Sequence, residues 1–475
     1  MKNKYFRILL LIFLISLAFR LYLSFQTSYF NGDESYFNIR LIDHIRATGK
    51  PLIFDILSYG GRQIIVPQLF HYILTLFSFI PFYLKIFPAI FSSSIVFVVY
   101  FLSKEITNDE HASLLTAFLS GFIPIYVTNI LNRVSVYTLL VPVIFFLFYC
   151  LLKIDQKKYL KWFLILSFLL PFISPVSFLF VLGLIFYVIL MITESWKLSK
   201  LKKETFLFVF FLILFINFLL FKRAFLLYGI NVIWENIPKD LLYNYFMDFN
   251  LFTAIYLIGI LQLVLGTIGI FYGFFKEKKE AIILVTGVIL STLFLLILKL
   301  VNLELGIIFL STGLTVISSL TLSKFLKYVR ITKFHKIKNY FITFIILLIV
   351  VFSLVPSFNL VNNEKPNFED LEWMKYNTNY DAVILAPLEY GHLITGVSGR
   401  RNVIDGNFLL ANNPEERLKD VDIIYKTWLE TKALELIREY DIDYIYITED
   451  MNDLIYAEDE KCFNEVRERI YKVIC

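Results

Sequence analysis

The chain has 475 residues, of which 58% are hydrophobic, 18% aromatic and 18% charged, and its mean hydropathy is +0.69. No soluble protein of this length could cover its surface with such a composition, so a soluble globular protein is excluded. The net charge of +5 is carried by short connectors between apolar runs, which argues against nucleic-acid binding. Repeated apolar runs of about 17 to 25 residues have the length that a membrane-crossing helix needs. We therefore predict a polytopic α-helical membrane protein.

The first apolar run, Phe6 to Phe25, ends without a small-residue cleavage site, and we expect it to be a retained anchor. A polar first loop of residues 26–85 follows. Within it, the short apolar piece Gln68 to Ile80 is too short to span and is expected to lie on or dip into the membrane surface. The runs Ile86 to Leu102 and Ala112 to Thr128 are predicted to cross the membrane.

The later spans alternate with strongly basic connectors. The basic residues of these connectors are Lys153, Lys157, Lys158 and Lys161, then Lys197, Lys200, Lys202 and Lys203, then Lys276, Lys278 and Lys279, and finally Lys324, Lys327, Arg330, Lys333, Lys336 and Lys338. If all of them are cytoplasmic, about eleven spans result, with a cytoplasmic N-terminus and an extracytoplasmic C-terminus. This count requires Trp162 to Ile192, which Pro171 and Pro175 interrupt, to be a hairpin of two short helices.

The composition changes sharply near Ser357, which divides the chain into a transmembrane domain, 1–356, and a small soluble extracytoplasmic α/β domain, 357–475. The predicted strands of this domain are Ala382 to Leu385, Tyr444 to Thr448 and Ile470 to Ile474, and its predicted helices are Phe368 to Tyr376 and Glu415 to Tyr440. Cys462 and Cys475 could pair if the domain is extracytoplasmic, whereas Cys150 is most simply a packed thiol.

Two adjacent carboxylates, Asp33 and Glu34, follow directly on the first apolar run in the stretch NGDESYFNIR. Such a pair could hold a divalent metal ion, because hard cations prefer carboxylate oxygens, or it could supply a general base. The alternative is a solvated acidic loop without a catalytic role.

Several stretches, in the right order, resemble the catalytic subunit of oligosaccharyltransferase, a polytopic GT-C glycosyltransferase that moves a glycan from a lipid carrier to asparagine. The matching stretches are the first loop at Tyr36, Phe37, Asn38 and Arg40, then YFLSKEIT at Tyr100 to Thr107, SLLTAFLSGFIPIY at Ser113 to Tyr126, and the tail from Asp370 to Asn407. An ungapped alignment places the family's metal-binding Asp on Glu34. Asp33 and Glu34 together also resemble the acidic pair of GT-C enzymes that use polyprenyl-phosphate monosaccharides.

The resemblance implies roles for further residues. WENIP is similar to the family's Ser-Glu-x-x-Pro segment, which makes Glu235 a candidate catalytic residue near the acceptor. Lys299 occupies the place of an Arg that faces the lipid phosphate. Tyr390, Gly391 and His392 fall at the end of the family's Trp-Trp-Asp-Tyr-Gly motif.

The chain departs from the family at two motifs. The second acidic motif has no counterpart, because the loop reads NILNRVSVYTLL and carries Arg133 instead of an acid. Pro387, Leu388 and Glu389 replace the Trp-Trp-Asp of the acceptor motif. The resemblance therefore leaves open whether asparagine is the acceptor.

The candidate catalytic residues are thus Asp33, Glu34 and Glu235. The candidate substrate-binding residues are Arg40, Arg133, Lys299, Tyr390, Gly391 and His392. Asp33 and Glu34 are also the candidate ligands of Mg²⁺ or Mn²⁺, which two or three carboxylates hold weakly unless a substrate phosphate completes the coordination shell. Ordinary alternatives are a snorkelling anchor for Lys299, a helix-start acid for Glu235 and a structural imidazole for His392.

The function that these features predict is transfer of a sugar or oligosaccharide from a polyprenyl- or dolichyl-phosphate-type carrier to a protein or glycan acceptor at the outer membrane face. The first alternative is a transferase resembling protein mannosyltransferases, which uses a polyprenyl-phosphate monosaccharide. A non-catalytic binder of lipid-linked glycans is a second alternative. A flippase or transporter is a third, but it should carry ionisable residues in the middle of its spans, whereas here they cluster at the ends.

Overall fold

The computed structural model describes residues 2–233, 237–239, 241, 250–277, 279–332, 340, 342–344, 346–348, 351, 367–449, 451, 453–457 and 462–475. The chain forms two compact units. The first, which we call the helical unit, comprises Met1–Tyr29, Phe79–Leu220 and Asn244–Glu364. The second, the mixed unit, comprises Phe30–Ser78, Phe221–Tyr243 and Lys365–Cys475. The boundary predicted between residues 356 and 357 lies outside the described residues.

The helical unit consists of helices connected by short turns. Its described helices are α1 (Lys2–Ser24), α4 (Tyr83–Ser93), α5 (Ile95–Thr107), α6 (Glu110–Gly121), α7 (Pro124–Ile130), α8 (Tyr137–Leu152), α9 (Lys157–Ile173), α10 (Ser177–Thr193), α11 (Lys200–Leu220), α13 (Leu251–Ile258), α14 (Ile260–Tyr272), α15 (Glu280–Ile297) and α16 (Leu303–Ile331). Among the described residues, six helices are long and apolar enough to cross a membrane, or seven if the bent pair α6 and α7 forms one span. The chain is therefore a multi-pass membrane protein.

Helix breaks occur where prolines and extended residues interrupt the backbone ladder. The axes of α6 and α7 differ by 41° across a break that ends at Pro124, whose missing N–H is tolerated at a helix start. The predicted hairpin at Trp162 to Ile192 consists of two helices, since α9 ends at Ile173 and the extended Ser174 precedes α10. The break predicted within Trp162 to Ile192 is thus present beside Pro175, with Pro171 inside α9, whereas the bend between α6 and α7 was not predicted.

Close packing in the helical unit depends on glycine and on a few polar contacts. A Cβ atom at Gly266 or Gly269 of α14 would lie 2.8 or 2.7 Å from a backbone oxygen of α16, so only glycine permits this approach. Glu280 at the start of α15 accepts hydrogen bonds of 2.6 Å from Tyr187 and Lys202, which joins α10, α11 and α15. Both kinds of contact fix the helices at specific positions along one another.

The mixed unit contains a five-stranded sheet in the order β4-β3-β5-β7-β6. Its strands are β3 (Val383–Leu385), β4 (Arg401–Asn402), β5 (Tyr444–Tyr446), β6 (Phe463–Arg467) and β7 (Ile470–Val473). Strand β3 pairs in parallel with β4 and β5, and β7 is antiparallel to β5 and β6. The three predicted strands are confirmed, whereas β4 and β6 were not predicted, because β4 is only two residues long and the sequence of β6, FNEVR, is mostly polar without a regular alternation.

The remaining elements of the mixed unit surround this sheet. They are α2 (Asp33–Thr48), the hairpin β1 (Phe54–Asp55) and β2 (Arg62–Gln63), α3 (Leu69–Thr75), α12 (Lys222–Tyr228), α17 (Phe368–Asn377), α18 (Pro414–Lys426) and α19 (Glu430–Glu439). The single helix predicted over Glu415 to Tyr440 is wrong, since two helices are present. Thr427 is extended and its hydroxyl accepts the N–H of Leu429, so its side chain competes with the helical hydrogen bonds.

Alternating strand residues build two hydrophobic cores, one on each face of the sheet. Leu385 and Ile445 belong to a cluster with apolar residues of α18 and α19. Ile384 belongs to a second cluster with Leu371 of α17 and with Tyr36 of α2. The first-loop helix therefore contributes directly to a core of the mixed unit.

A buried ion pair joins the β1–β2 hairpin to the segment after β4. Asp405 accepts hydrogen bonds from Arg62 Nη2 at 3.0 Å, Ser58 Oγ at 2.6 Å and Asn402 Nδ2 at 3.1 Å. The Arg62 and Asp405 side chains are 3% and 0% exposed. Arg62 also donates through Nη1 to the Leu409 carbonyl at 3.0 Å. Such complete pairing is what a buried charge requires.

Cys462 and Cys475 form a disulfide with an S–S distance of 2.00 Å, and Cys150 is a buried free thiol. The bond fixes the last residue of the chain beside the start of β6, where Ile474 N–H also donates to the Cys462 carbonyl at 2.9 Å. The predicted pairing is confirmed.

We predict that Asp405→Asn destabilises the mixed unit by about 3–5 kcal/mol, because it leaves the Arg62 charge buried without its counter-ion. Hydrogen exchange of the β3 and β5 amides in detergent measures the free energy of opening. The matched control is Asp422→Asn, which removes an exposed i,i+4 pair with Lys426 and should cost about 1 kcal/mol or less. Similar exchange rates in the two variants would contradict the structural role of the buried pair.

Candidate functional site

The acidic pair of the first loop occurs at the start of α2, where Asp33 is the first helical residue. Gly32 precedes it with φ 73°, a left-handed conformation that favours glycine. Asp33 Oδ1 accepts the Leu393 N–H at 2.7 Å, and the His392 N–H is a second backbone donor to the same carboxylate. Glu34 is exposed. The two acids are therefore not equivalent: Asp33 accepts backbone donors from the tail, whereas the Glu34 side chain is exposed.

The pKa of Asp33 is raised well above its ordinary value, chiefly by burial. The negative charges of Asp405 and Glu389 raise this pKa further, and the two backbone N–H donors oppose the shift. The start of α2 also favours a negative charge through the helix dipole. Asp33 is consequently a stronger base than an ordinary aspartate, held in a fixed orientation.

Gly391 and His392 form part of a short helical turn, Gly391–Leu393, that presents these donors. A Cβ atom at Gly391 would lie 2.3 Å from the Ile404 carbonyl oxygen, so this position accepts only glycine. His392 is 5% exposed, its ring centre lies 4.8 Å from that of Phe37 with the ring planes tilted by 35°, and its Nδ1 is 3.9 Å from Asp405 Oδ2. Burial lowers the pKa of His392 to about 4, which keeps the ring neutral at physiological pH. The close approach at Gly391 and the burial of His392 favour a structural role for both residues.

Tyr390 lies at the surface side of the same segment, in the helical turn Leu388–Tyr390. Its ring is 5.7 Å from the Tyr446 ring and remains partly exposed. Glu389 is exposed and close enough to influence Asp33 electrostatically. Sequence reasoning did not select Glu389 as a site residue, although it stands where the family has the Asp of its acceptor motif.

Arg40, the other candidate of the first loop, forms an ion pair with Asp55 of β1. Burial lowers the pKa of Arg40 to about 10. Because Asp55 already neutralises the guanidinium, the contact explains Arg40 as a brace between α2 and the β1–β2 hairpin.

Sequence reasoning missed the residues that support the turn at Gly391. Asn402 Nδ2 donates to the Gly391 carbonyl at 2.9 Å and to Asp405, and Tyr59 donates its hydroxyl to the Asp405 carbonyl at 2.7 Å. The one available signal was the tail motif itself, since Asn402 and Asp405 both lie in its matched stretch. No pattern in the first loop identified Ser58 or Arg62 as their partners.

The helical unit carries the two other candidate cations. Lys299 lies in the connection between α15 and α16 with φ 55°, and its N–H donates to the Leu296 carbonyl at 3.1 Å. Arg133 lies between α7 and α8, and its Nε is buried with no hydrogen-bond partner among the described residues. Glu235 lies outside the described residues.

The mixed unit thus brings together Asp33, Tyr390, Gly391 and His392, with Arg40 on the same helix as Asp33. No cluster of three or more histidine, cysteine or acidic side chains suited to a metal ion occurs in the described part of the chain. Asp405, the most buried acid, is already committed to Arg62. The described residues therefore do not supply enough side-chain ligands to bind a metal ion by themselves.

No protein-family model matches the sequence, and neither does any curated protein sequence. Solved structures, however, are similar over nearly the whole chain. The apo oligosaccharyltransferase of Archaeoglobus fulgidus has a TM-score of 0.69 at 15% identity, over 93% of this chain and 69% of that one. Oligosaccharyltransferase AglB of the same organism, in complex with an inhibitory peptide and a dolichol-phosphate, has a TM-score of 0.68 at 14% identity, over 94% and 69%.

ArnT from Cupriavidus metallidurans, bound to undecaprenyl phosphate, has a TM-score of 0.56 at 10% identity, over 90% of this chain and 91% of that one. At such low identities the likeness concerns the fold. The resemblance noted from the first-loop and tail motifs is thereby confirmed at the level of architecture. The chain has the GT-C fold that archaeal oligosaccharyltransferase and ArnT share.

Proposed function

We propose that the protein is a membrane glycosyltransferase that transfers a sugar or oligosaccharide from a polyprenyl- or dolichyl-phosphate-type carrier to an acceptor. The fold supports this assignment, and the bound carriers of two structural neighbours, a dolichol-phosphate and undecaprenyl phosphate, indicate the class of donor. The observation that carries the proposal is Asp33, a carboxylate oriented by backbone donors and made more basic by its surroundings.

In the proposed reaction, the acceptor attacks the anomeric carbon of the lipid-linked sugar from the side opposite the phosphate. Asp33 takes the proton from the attacking group, the bond between the anomeric carbon and the phosphate oxygen breaks, and the carrier leaves as its phosphate or diphosphate. The configuration at the anomeric carbon inverts. Arg133 and Lys299 neutralise the charge that develops on the leaving group. Mg²⁺ or Mn²⁺ would supply further charge neutralisation if the donor completes its coordination shell.

The acceptor is a protein or glycan group, and Glu235 is the residue proposed to contact it. The protein mannosyltransferase-like alternative keeps the same base and the same leaving group, and differs in using a monosaccharide donor. The exposed Glu389 is a further proposed contact of the acceptor, since its carboxylate accepts a hydrogen bond from a hydroxyl, amide or ammonium group.

We also propose the finer topology: about eleven spans, a cytoplasmic N-terminus and an extracytoplasmic domain of residues 357–475 in the cell membrane. The Cys462–Cys475 disulfide supports this orientation, because disulfides persist in oxidising, extracytoplasmic surroundings. The basic connectors support it independently.

We predict that Asp33→Asn lowers the rate of sugar transfer by about 10² or more, the effect of removing a positioned general base. Glu34→Gln, the same change at the neighbouring exposed acid, should retain most of the rate. Single-turnover transfer from a radiolabelled polyprenyl-linked donor measures both. Equal losses in the two variants would refute the assignment of the base to Asp33.

We predict that an impermeant maleimide labels Asn412→Cys in intact cells, because Asn412 is exposed in the C-terminal region. The native disulfide and the buried Cys150 should not react under non-reducing conditions. Asp155→Cys, in a basic connector, is the matched control and should be labelled only after permeabilisation. Labelling of Asn412→Cys only in broken cells would overturn the proposed orientation.

A further inference from the structure

Arg20 is a buried cation in the first span, one turn before α1 ends at Ser24. Its side chain is 2% exposed. Nη1 donates to the Ser16 carbonyl at 3.4 Å and to the Ser16 hydroxyl, and the guanidinium carbon lies 5.7 Å from the centre of the Tyr126 ring. One edge of the guanidinium is thus satisfied within α1.

The other edge is not satisfied. Arg20 Nε and Nη2 are both buried and have no hydrogen-bond partner, and no ion pair involves Arg20 in the described part of the chain. The N–H groups of Nε and Nη2 point in the same direction. Together they form the edge of an arginine that binds a carboxylate or phosphate through two parallel hydrogen bonds.

A cation in this position requires an anion. An unpaired charge is expensive within a membrane protein, and Arg and Lys in spans normally pair with a partner or serve a ligand. Glu105, Glu110 and Glu280 of the helical unit each pair with a lysine, and no acid among the described residues forms an ion pair with Arg20. The missing anion is therefore best supplied by a molecule bound to the protein.

The end of α1, one turn after Arg20 in the chain, is bound by further hydrogen-bond donors. Asn132 Nδ2 donates to Thr27 Oγ1 at 3.0 Å and to the Tyr29 carbonyl at 2.7 Å, which holds the loop after α7 against the end of α1. The next residue in this loop, Arg133, also has a buried Nε without a partner among the described residues. Lys85 Nζ donates to the Ser24 carbonyl at 2.7 Å. Lys85 and Asn132 therefore both bind residues at or just after the end of α1, and Arg133 is the neighbour of Asn132 in the same loop.

We propose that Arg20 binds the phosphate of the lipid carrier through its Nε and Nη2 edge, with Arg133 as a second donor to the same phosphate. A lipid phosphate is the anion that suits the position of Arg20, because an isoprenoid tail occupies the hydrocarbon while its phosphate reaches the outer turns of a span. Only the identity of the carrier rests on the proposed function. Arg20 would be the cation contributed by the first span, and Arg133 the cation contributed by the loop after α7.

The test uses the full-length protein in detergent with farnesyl phosphate as the probe, and with farnesol and inorganic phosphate as separate ligands. We expect Arg20→Gln to raise the Kd for farnesyl phosphate about tenfold or more, the effect of losing charge-assisted hydrogen bonds. Arg20→Lys should give a smaller loss, because it keeps the charge but not the two-pronged edge. Arg7→Gln, the same change at an exposed arginine of α1, is the matched control and should leave the Kd unchanged.

The thermal transition separates binding from structure. Arg20→Gln should abolish the rise in Tm that farnesyl phosphate causes without lowering the Tm of the ligand-free protein, since an uncompensated charge has been removed. If Arg20→Gln fails to fold, the Kd of Arg20→Lys decides alone. An unchanged Kd in the Arg20 variants overturns the proposal, as does farnesol binding as tightly as farnesyl phosphate.

Inorganic phosphate that competes at equal affinity would overturn the lipid source and assign a free-phosphate site. Tight, Arg20-dependent binding of farnesyl phosphate without transfer from any donor would instead leave the phosphate site intact and refute the glycosyltransferase assignment.

Discussion

The architecture of the mixed unit depends on the buried pair of Arg62 and Asp405. Three sequence segments meet at this pair: the β1–β2 hairpin through Ser58, the strand β4 through Asn402, and the turn at Gly391, whose carbonyl Asn402 binds. The same turn donates the Leu393 N–H to Asp33. The position of the proposed base is therefore determined by a buried electrostatic cluster and not by its own loop. This explains how the carboxylate of the first residue of α2 has a fixed orientation.

The sequence predicted the local features of the chain well, because each follows from short-range physics. Apolar length predicted a multi-pass membrane protein, the stretch with Pro171 and Pro175 predicted the break between α9 and α10, and short β-rich runs predicted the strands β3, β5 and β7. The pairing of Cys462 with Cys475 followed from their shared polar region. Prediction from the sequence failed at Thr427, where a side-chain hydrogen bond ends a helix that composition alone would continue.

The candidate site was less predictable because its supporting contacts join residues far apart in the chain. The hydrogen bond from Ser58 to Asp405 spans 347 positions, and the bond from Leu393 to Asp33 spans 360. Asp33 and Glu34 were indistinguishable by composition, and only the folded turn separates them. Arg40 and His392 were selected by motif position, yet the folded chain pairs the first with Asp55 and buries the second. A motif match identifies a segment, whereas burial determines which of its side chains can meet a substrate.

The proposed activity of the protein is transfer of a sugar from a lipid phosphate carrier. Reconstitution of the purified chain in proteoliposomes with a panel of radiolabelled polyprenyl-phosphate and polyprenyl-diphosphate sugars, followed by product analysis, tests it most directly. We predict that label moves from at least one of these donors to a peptide or glycan acceptor with inversion at the anomeric carbon. Movement of intact labelled donor between leaflets, with no transfer to any acceptor, would contradict the account and identify the protein as a flippase.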